Sequence, residues 1–567
     1  MRTSSCWHGL SQKRLSRRRA LKAGGVGLGA AALALAGCGG GEEEAGTPGA
    51  GKTPAGEDSF LTPTGGEETP VYGGHMVTST STVFAGLDLQ VNVDWFGSAW
   101  FHGYMFGIDH RKEEEAIDFE AADSYERIDE LTHVWKLKQG IKFQNVDPMF
   151  GRELVADDVV YSTTRRRDNP AGQSDKQFLR DLTDHFEATD KYTFRLATKA
   201  PYAAILDEFG DASYPIVPRE AVEKWGDLQQ HGVGFGAYIM EEFVRGERLK
   251  VVKNPDFYME GRPYVDSIEL LVIPDDSTIA KAFETGQTVS YGGSQPNRPK
   301  VDRWKNIKGI RVRGGNNYWH RTFMLKTAKP PFDDVRVREA VDLAIDRQDI
   351  IDKMAFGYGK VSGPIVPDMV RYALPQEELR EFYKVDIAKA KQLLSAAGYE
   401  NGLDVELKVE SVADLSKLAQ IVAQHLGKTG INCKLTLQEL GIFLAQTMYA
   451  GNFEMMCYYN LPYEHPDRPL LQWHSKGQAG ISFSGYNNPE ADEWIRKERS
   501  EFDPEKRRQI ILDAQRFFIN EHGPQISTET DTGYGASWDY IHGVDENINR
   551  GQFLLLGVHN WLTEKKA

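Results

Sequence analysis

Leu403-Asp-Val-Glu-Leu-Lys-Val409, Ile431-Asn-Cys-Lys-Leu-Thr-Leu437 and Phe453-Glu-Met-Met-Cys-Tyr-Tyr459 are three strand-like runs. Between the first two lies Asp414 to Gly427, whose apolar residues recur at helical spacing. A second helix is expected near 441–450. Strands that alternate with helices in this way predict a parallel sheet with crossover connections. The α/β grain extends outward. Asp334 to Ala344, Gln348 to Phe356 and Ile387 to Ala397 read as helices, the last stopping at Gly398. Residues 488–521 return to helix.

Upstream of about 320 the grain differs. Val134-Trp-Lys-Leu-Lys138 and Tyr192-Thr-Phe-Arg-Leu196 alternate as half-buried strands do. Leu249-Lys-Val-Val252 and Ser267-Ile-Glu-Leu-Leu-Val-Ile273 add two more strands. Ala156-Asp-Asp-Val-Val-Tyr161 opens a helix with acids at its N-terminus, where the dipole favours them. Ser277 to Thr285 reads as a helix capped by Ser277. Two unlike lobes are therefore expected, and a cleft between lobes is a favoured ligand site.

The first 38 residues read as an export address. Ser16-Arg17-Arg18-Arg19-Ala20-Leu21-Lys22 is a twin-arginine pattern, although Ala20 replaces the usual Phe. The apolar run Ala23–Gly37 has 15 residues, short of the about 20 that span a bilayer. Leu35-Ala36-Gly37-Cys38 has the form of a lipobox, so residues 1–37 are expected to leave as a signal peptide and Cys38 to carry lipid. Residues 38–70, rich in Gly, Glu, Thr and Pro, are expected to be a disordered tether. Within them Gly46-Thr-Pro-Gly-Ala-Gly51-Lys52-Thr53 matches a phosphate-loop pattern. Glu42-Glu43-Glu44 before it and Pro54-Ala55-Gly56 after it supply neither strand nor helix, so nucleotide binding is not expected.

The net charge is −15. The first 37 residues hold seven Lys or Arg and no acid, so their loss takes it to −22. Such a surface repels nucleic acid, and none is expected as a partner. Of four cysteines, Cys433 and Cys457 remain beyond the address. A disulfide and two free thiols are both open for them. His102 and His110, and His465 and His474, stand too far apart for chelation from one helix turn, so no metal and no cofactor is expected. G-x-S-x-G and H-E-x-x-H are both absent, which removes the commonest serine and zinc hydrolase signatures.

Several blocks together resemble one family. These are Trp135-Lys-Leu-Lys-Gln-Gly-Ile-Lys-Phe143 with Leu154-Val-Ala-Asp-Asp-Val-Val-Tyr161; Gly234-Phe-Gly-Ala-Tyr238 with Asn254-Pro-Asp-Phe-Tyr258; Pro331-Phe-Asp-Asp-Val-Arg-Val-Arg-Glu-Ala-Val341 with Ala344-Ile-Asp-Arg347; Ala388 to Tyr399; and Tyr486-Asn-Asn-Pro-Glu-Ala-Asp492. In this order they resemble the extracellular solute-binding proteins of ABC transporters, family 5, the peptide/nickel-binding group. The resemblance covers about 71–565. It implies an α/β fold of the periplasmic-binding-protein type II, with domain I at 71–115, 213–317 and 530–567, a subdomain at 116–212, and domain II at 318–529. Chain crossings near Asn316–Arg321 and Gln525–Thr532 would be the hinge, closing on ligand as a trap. The motif residues Asp333, Asp334, Arg336 and Arg338 read as caps and surface pairs, as do Asp346 and Arg347, and Gly234 and Gly236 as a turn.

The implied role is capture of an oligopeptide or similar polar solute for a membrane permease and its ATPase, without catalysis. The implied protein is a lipid-anchored monomer at the outer face of the cytoplasmic membrane or in the periplasm. Oligosaccharide or metal-chelate cargo, or a sensor role, stay open. In peptide-binding members an aspartate upstream of a D-P-D segment pairs with the peptide's amino terminus. Here His465-Pro466-Asp467 takes the place of D-P-D, and the aspartate's place falls on Pro462. Glu464 or Asp467 could substitute. The aromatics Trp95, Trp100, Tyr318, Trp319, Tyr459, Tyr463 and Trp473, with His320, are the other candidates for ligand contact, and core packing would employ the same residue types.

Overall fold

A computed structural model of the chain describes residues 69–81, 86–91, 100–109, 116–169, 178–210, 214–293, 296–315, 317, 319–460, 465–475, 484–543 and 560–563. The export address, Cys38, the phosphate-loop look-alike and nearly all of the tether lie outside them, as do Trp95, His110, Tyr318, Tyr463 and Glu464.

Three sheets organise the molecule. In the first, the strand order is His75–Thr80, Ser267–Val272, Arg248–Lys253, Tyr238–Val244, with the first pair parallel and the rest antiparallel. Its apolar face packs Met76, Tyr238, Leu249, Val251 and Ile268 with Trp100. Gly234 and Gly236 serve packing here. A Cβ on Gly234 would stand 2.3 Å from the Phe101 carbonyl oxygen, and one on Gly236 2.4 Å from that of His102. The second sheet is antiparallel, in the order Ala122–Arg127, Thr132–Leu137, Thr193–Thr198, Thr183–Asp190. Trp135, Phe194, Leu196 and Phe209 fill the core beneath it, each large apolar side chain contributing about 1.5–3 kcal/mol by leaving water.

The third sheet has five strands, in the order Ile431–Gln438, Leu403–Glu410, Met455–Asn460, His320–Leu325, Gln525–Ser527. The first three are parallel, as the alternation at 403–459 predicts. The last two run antiparallel to their neighbours, so the sheet is mixed. One crossover is the helix Ala413–Gly427. The other is shorter and irregular, a single turn at Leu440–Ile442 followed by a π-turn at Phe443–Met448.

Helix starts follow side-chain chemistry. Asp334, Asp346, Asp386, Asn488 and Asp503 each accept a backbone N–H of the helix they precede, worth about 0.5–2 kcal/mol apiece. The helix expected from Ser277 begins at Asp276, and its cap is Asp275, which accepts from the Thr278 N–H. Two motif arginines differ from their expected surface role. Arg338 is buried and donates to the carbonyls of Phe332, Asp333 and His522. Arg347 is buried too, paired with Asp342 at 2.5 Å and lying over the Tyr383 ring. Both tie the helix Val335–Ala344 and its neighbours to the segment at 522–527. Cys433 and Cys457 are free thiols, and burial pushes the Cys433 thiol up to about 12.

Candidate functional site

The two segments expected to be chain crossings lie side by side. Ile310–Gly315 pairs with Gly533–Trp538, and a few residues on, His320–Leu325 pairs with Gln525–Ser527. His320 is in register with Asn460, so this junction stands at the carboxyl end of the parallel strands. Open α/β sheets present ligands at that edge.

On one face of the junction Trp319 is 41% exposed and meets Tyr459 edge to face, with centroids 6.0 Å apart. The Tyr459 hydroxyl donates to Asp414, in the first turn of the helix Ala413–Gly427. Arg321 lies beneath, in contact with Asp414 at 3.2 Å, Glu529 at 2.8 Å and Asp531 at 2.7 Å. Burial works against its charge, yet Glu529 and Asp531 outweigh that and hold the guanidinium above its ordinary pKa. One cation therefore serves three carboxylates. Glu410 adds a fourth acid nearby; burial raises its pKa, assisted by Asp414 and Glu439. Burial likewise raises Glu529, whose second oxygen has no hydrogen-bond partner. The corner of Trp319, Tyr459 and these carboxylates can accept a cationic group, with the exposed Trp319 ring alongside and excess negative charge below.

The opposite face is neutral and polar. His320 Nε2 contacts the Asn460 amide at 3.2 Å and the Gln525 amide at 3.4 Å, and Gln472 donates to Asn460 Oδ1 at 2.6 Å. Burial lowers the His320 pKa to about 4, so the ring is neutral.

A second charged cluster joins two separate cores. Tyr202, Ile205 and Phe209 belong to the core under the second sheet, whereas Leu470, Ile495, Ile511 and Phe518 belong to one built from the later helices. Between them Arg499 grips Asp467 through two bonds of 2.5 and 2.9 Å, and Tyr202 donates to Asp467 at 3.2 Å. Arg468 contacts Glu208 at 3.0 Å. Arg507 spans Glu498 at 3.0 Å and Asp207 at 3.3 Å. The Ala203 N–H donates to the Arg499 carbonyl at 2.6 Å.

Of the residues selected from sequence, the structure brings Trp319, His320 and Tyr459 together at the junction. Asp467 sits fully buried in the second cluster, where burial opposes its charge but Arg499 prevails and lowers its pKa. Trp473 is buried and stacks on Phe518 at 4.8 Å. Trp100 lies in the core of the first sheet. Arg321, Asp414 and Glu410 were not selected. Arg321 carried a signal, being a cation one residue beyond the aromatic run at the first crossing.

Among the described residues no group of three or more His, Cys, Asp or Glu is placed to hold a metal ion, and no helix is long and apolar enough to cross a membrane.

Residues 119–482 match the family model described as bacterial extracellular solute-binding proteins, family 5. A glutathione-binding protein, GsiB, of Salmonella paratyphi A is 28% identical over 358 residues, 62% of this chain and 67% of the relative. Among solved structures, the periplasmic binding protein DppA of Helicobacter pylori, in complex with the peptide STSA, is 21% identical with a TM-score of 0.75, covering 87% of this chain and 99% of that one. The oligopeptide-binding protein AppA of Bacillus subtilis, in complex with a nonapeptide, is 19% identical with a TM-score of 0.72, covering 88% and 100%. The fold is that of the type II periplasmic binding proteins.

Proposed function

Because the chain belongs to the bacterial extracellular solute-binding proteins, family 5, whose members capture solutes for import, we propose that it takes a peptide-like solute by a cationic group at the Trp319–Tyr459 corner. The observation that carries the reading is the excess of carboxylate there: Asp414, Glu529 and Asp531 share the single Arg321, with Glu410 beside them. An ammonium or guanidinium fits such a corner and neutralises its charge, which an uncharged sugar does not. The peptide complexes of DppA and AppA and the glutathione named for GsiB support the same class of cargo.

In this reading domain I comprises 71–115, 213–317 and 530–567, with its subdomain at 116–212, and domain II comprises 318–529. The two adjacent crossings form the hinge. Trp95, Tyr318, Tyr463 and Glu464, outside the described residues, are proposed from the sequence as further ligand contacts. The protein binds without turnover, as a monomer. It leaves the cytoplasm by its twin-arginine address, is held outside by lipid on Cys38, and hands its solute to a permease driven by an ATPase.

Melting curves of the mature protein against peptides, glutathione, oligosaccharides and metal ions test this. A ligand at 100 times its Kd stabilises the folded state by about 2.7 kcal/mol. Peptides or glutathione should raise the melting temperature and be recovered unchanged. A shift with oligosaccharides alone would sink the cationic-corner reading, and product formation would sink capture.

A further inference from the structure

The cluster that joins the two cores lies away from the Trp319–Tyr459 corner, and its composition is unusual for a structural contact. The carboxylates of Asp207, Glu208, Asp467 and Glu498 meet the guanidiniums of Arg468, Arg499 and Arg507 there. Asp467 and Glu498 are fully buried, and Asp207 and Glu208 nearly so. Two fully buried carboxyls in contact, Asp467 and Glu498, are costly when both are charged, and the usual resolution is that one keeps a proton.

Geometry indicates which one. Asp467 has both oxygens on Arg499 and a third bond from Tyr202. Glu208 has Arg468 and the Tyr214 hydroxyl. Glu498 shares Arg507 with Asp207, and its carboxyl meets that of Asp467. It also faces Asp467, which disfavours a second negative charge. Burial, with Asp467 adding to it, pushes Glu498 up to about 8. The other ionisable groups around it are His465 beside Asp467, and Arg499 and Tyr202. Arg166 lies over the Tyr214 ring at the margin.

The arginines all come from one side, and the acids from both. Tyr202 to Phe209 supplies Tyr202, Asp207 and Glu208, while the helices Asp467–Leu470, Pro489–Ser500 and Pro504–Asn520 supply the rest. Separating the two sides would return water to Glu498. We propose that closure of the Tyr202–Phe209 segment onto these helices takes up one proton, held on Glu498, so that retention of the solute is coupled to pH. This rests on the two-lobe closure of the proposed function but not on the identity of the cargo.

The sign follows from the two states. Glu498 binds its proton more tightly when covered than when solvated. Closure is most favourable below the solvated carboxyl's range, near 4.5, and weakens as pH rises from there to about 8, beyond which it is constant. One proton corresponds to a fall in the closed-to-open ratio of up to about ten-fold per pH unit.

The test needs no ligand. Spin labels are placed on exposed Thr189 and Lys497 through Thr189→Cys and Lys497→Cys, with half-buried Cys433→Ser, and their separation is followed from pH 5 to pH 9 in the full chain. The closed population should fall with rising pH in the parent protein, and the fall should vanish in Glu498→Gln. Asp207→Asn, which takes one carboxylate off Arg507, should shrink it too. A population that does not move with pH, or that moves equally in Glu498→Gln, would overturn the proposal. So would a response abolished by His465→Asn but not by Glu498→Gln, since the proton would then sit on the imidazole. Failure here leaves the melting screen untouched, and failure of the screen leaves this response standing.

Discussion

The two charged clusters use the same residue types to different ends. At the junction one arginine meets three carboxylates, and an exposed tryptophan stands at the rim. Asp414 and Asp531 keep part of their surface in water. In the cluster between the cores, charges are nearly matched, shut away from water and drawn from segments about 260 to 300 residues apart. An excess of one sign on a wetted rim is a place for a ligand's opposite charge. A nearly balanced, dry cluster is a contact between rigid parts. A buried ion pair contributes little over an apolar one, yet breaking it is costly, so the second cluster suits a contact that must form in one register or not at all.

The largest effect expected from breaking that contrast is at Arg499. Arg499→Met strands Asp467 in a dry site, and denaturant titration should show a loss of about 3–5 kcal/mol. Arg321→Met should cost less, about 1–3 kcal/mol, because water can reach two of the three acids it leaves. Equal losses would mean that the junction is as dry as the contact, and the difference drawn between them would fail.

Acid sharpens the contrast next. His320 behind the junction, His102 and His133 are all held near pKa 4 by burial. Their folded pKa lies below the unfolded value of 6.5, so the neutral ring's stabilisation is complete above pH 6.5 and is lost as pH falls toward 4. Each contributes up to about 1.4 kcal/mol per pH unit in that window. His320→Asn should remove about a third of the slope that these three rings give to stability between pH 6.5 and 4.5. The Glu498 contact works the other way and weakens toward alkaline pH. An acid slope unchanged in His320→Asn would show that its ring is already solvated.

How much of this was legible before the structure follows from spacing. The runs at 403–459 are local patterns, and they predicted the parallel strands. Helix starts were equally local, since an Asp or Asn one residue ahead of an apolar stripe accepts the first N–H groups; the slip from Asp275 to Ser277 is two residues within one such cluster. The contact between the cores was not read, because its partners are far apart in the chain. It left one mark. Ala491, Ile495 and Glu498 fall at i, i+4 and i+7 of one helix, and Arg507, Ile511 and Phe518 share a face of the next. A charge on an apolar stripe signals a buried partner elsewhere. Arg338 and Arg347 were misread for the same reason: each stands on the buried side of its helix and meets carbonyls of the segment at 522–527.

The smallest effect on the fold, and the most direct reading of the rim, is at Trp319. It is largely exposed and touches only Tyr459 among the described aromatic rings, so Trp319→Ala should change stability by no more than about 0.5 kcal/mol. If a cationic solute lies against it, the lost ring contact should weaken binding by about 0.5–2 kcal/mol, roughly two- to thirty-fold in Kd. The measurement is calorimetric titration with the peptide that gives the largest melting shift, beside its N-acetylated form. Acetylation removes the ammonium, so it should weaken binding to the parent protein and take away most of the difference between parent and variant. Unchanged affinity in both would mean that the rim is only surface, and that the solute's charge is met elsewhere in the cleft.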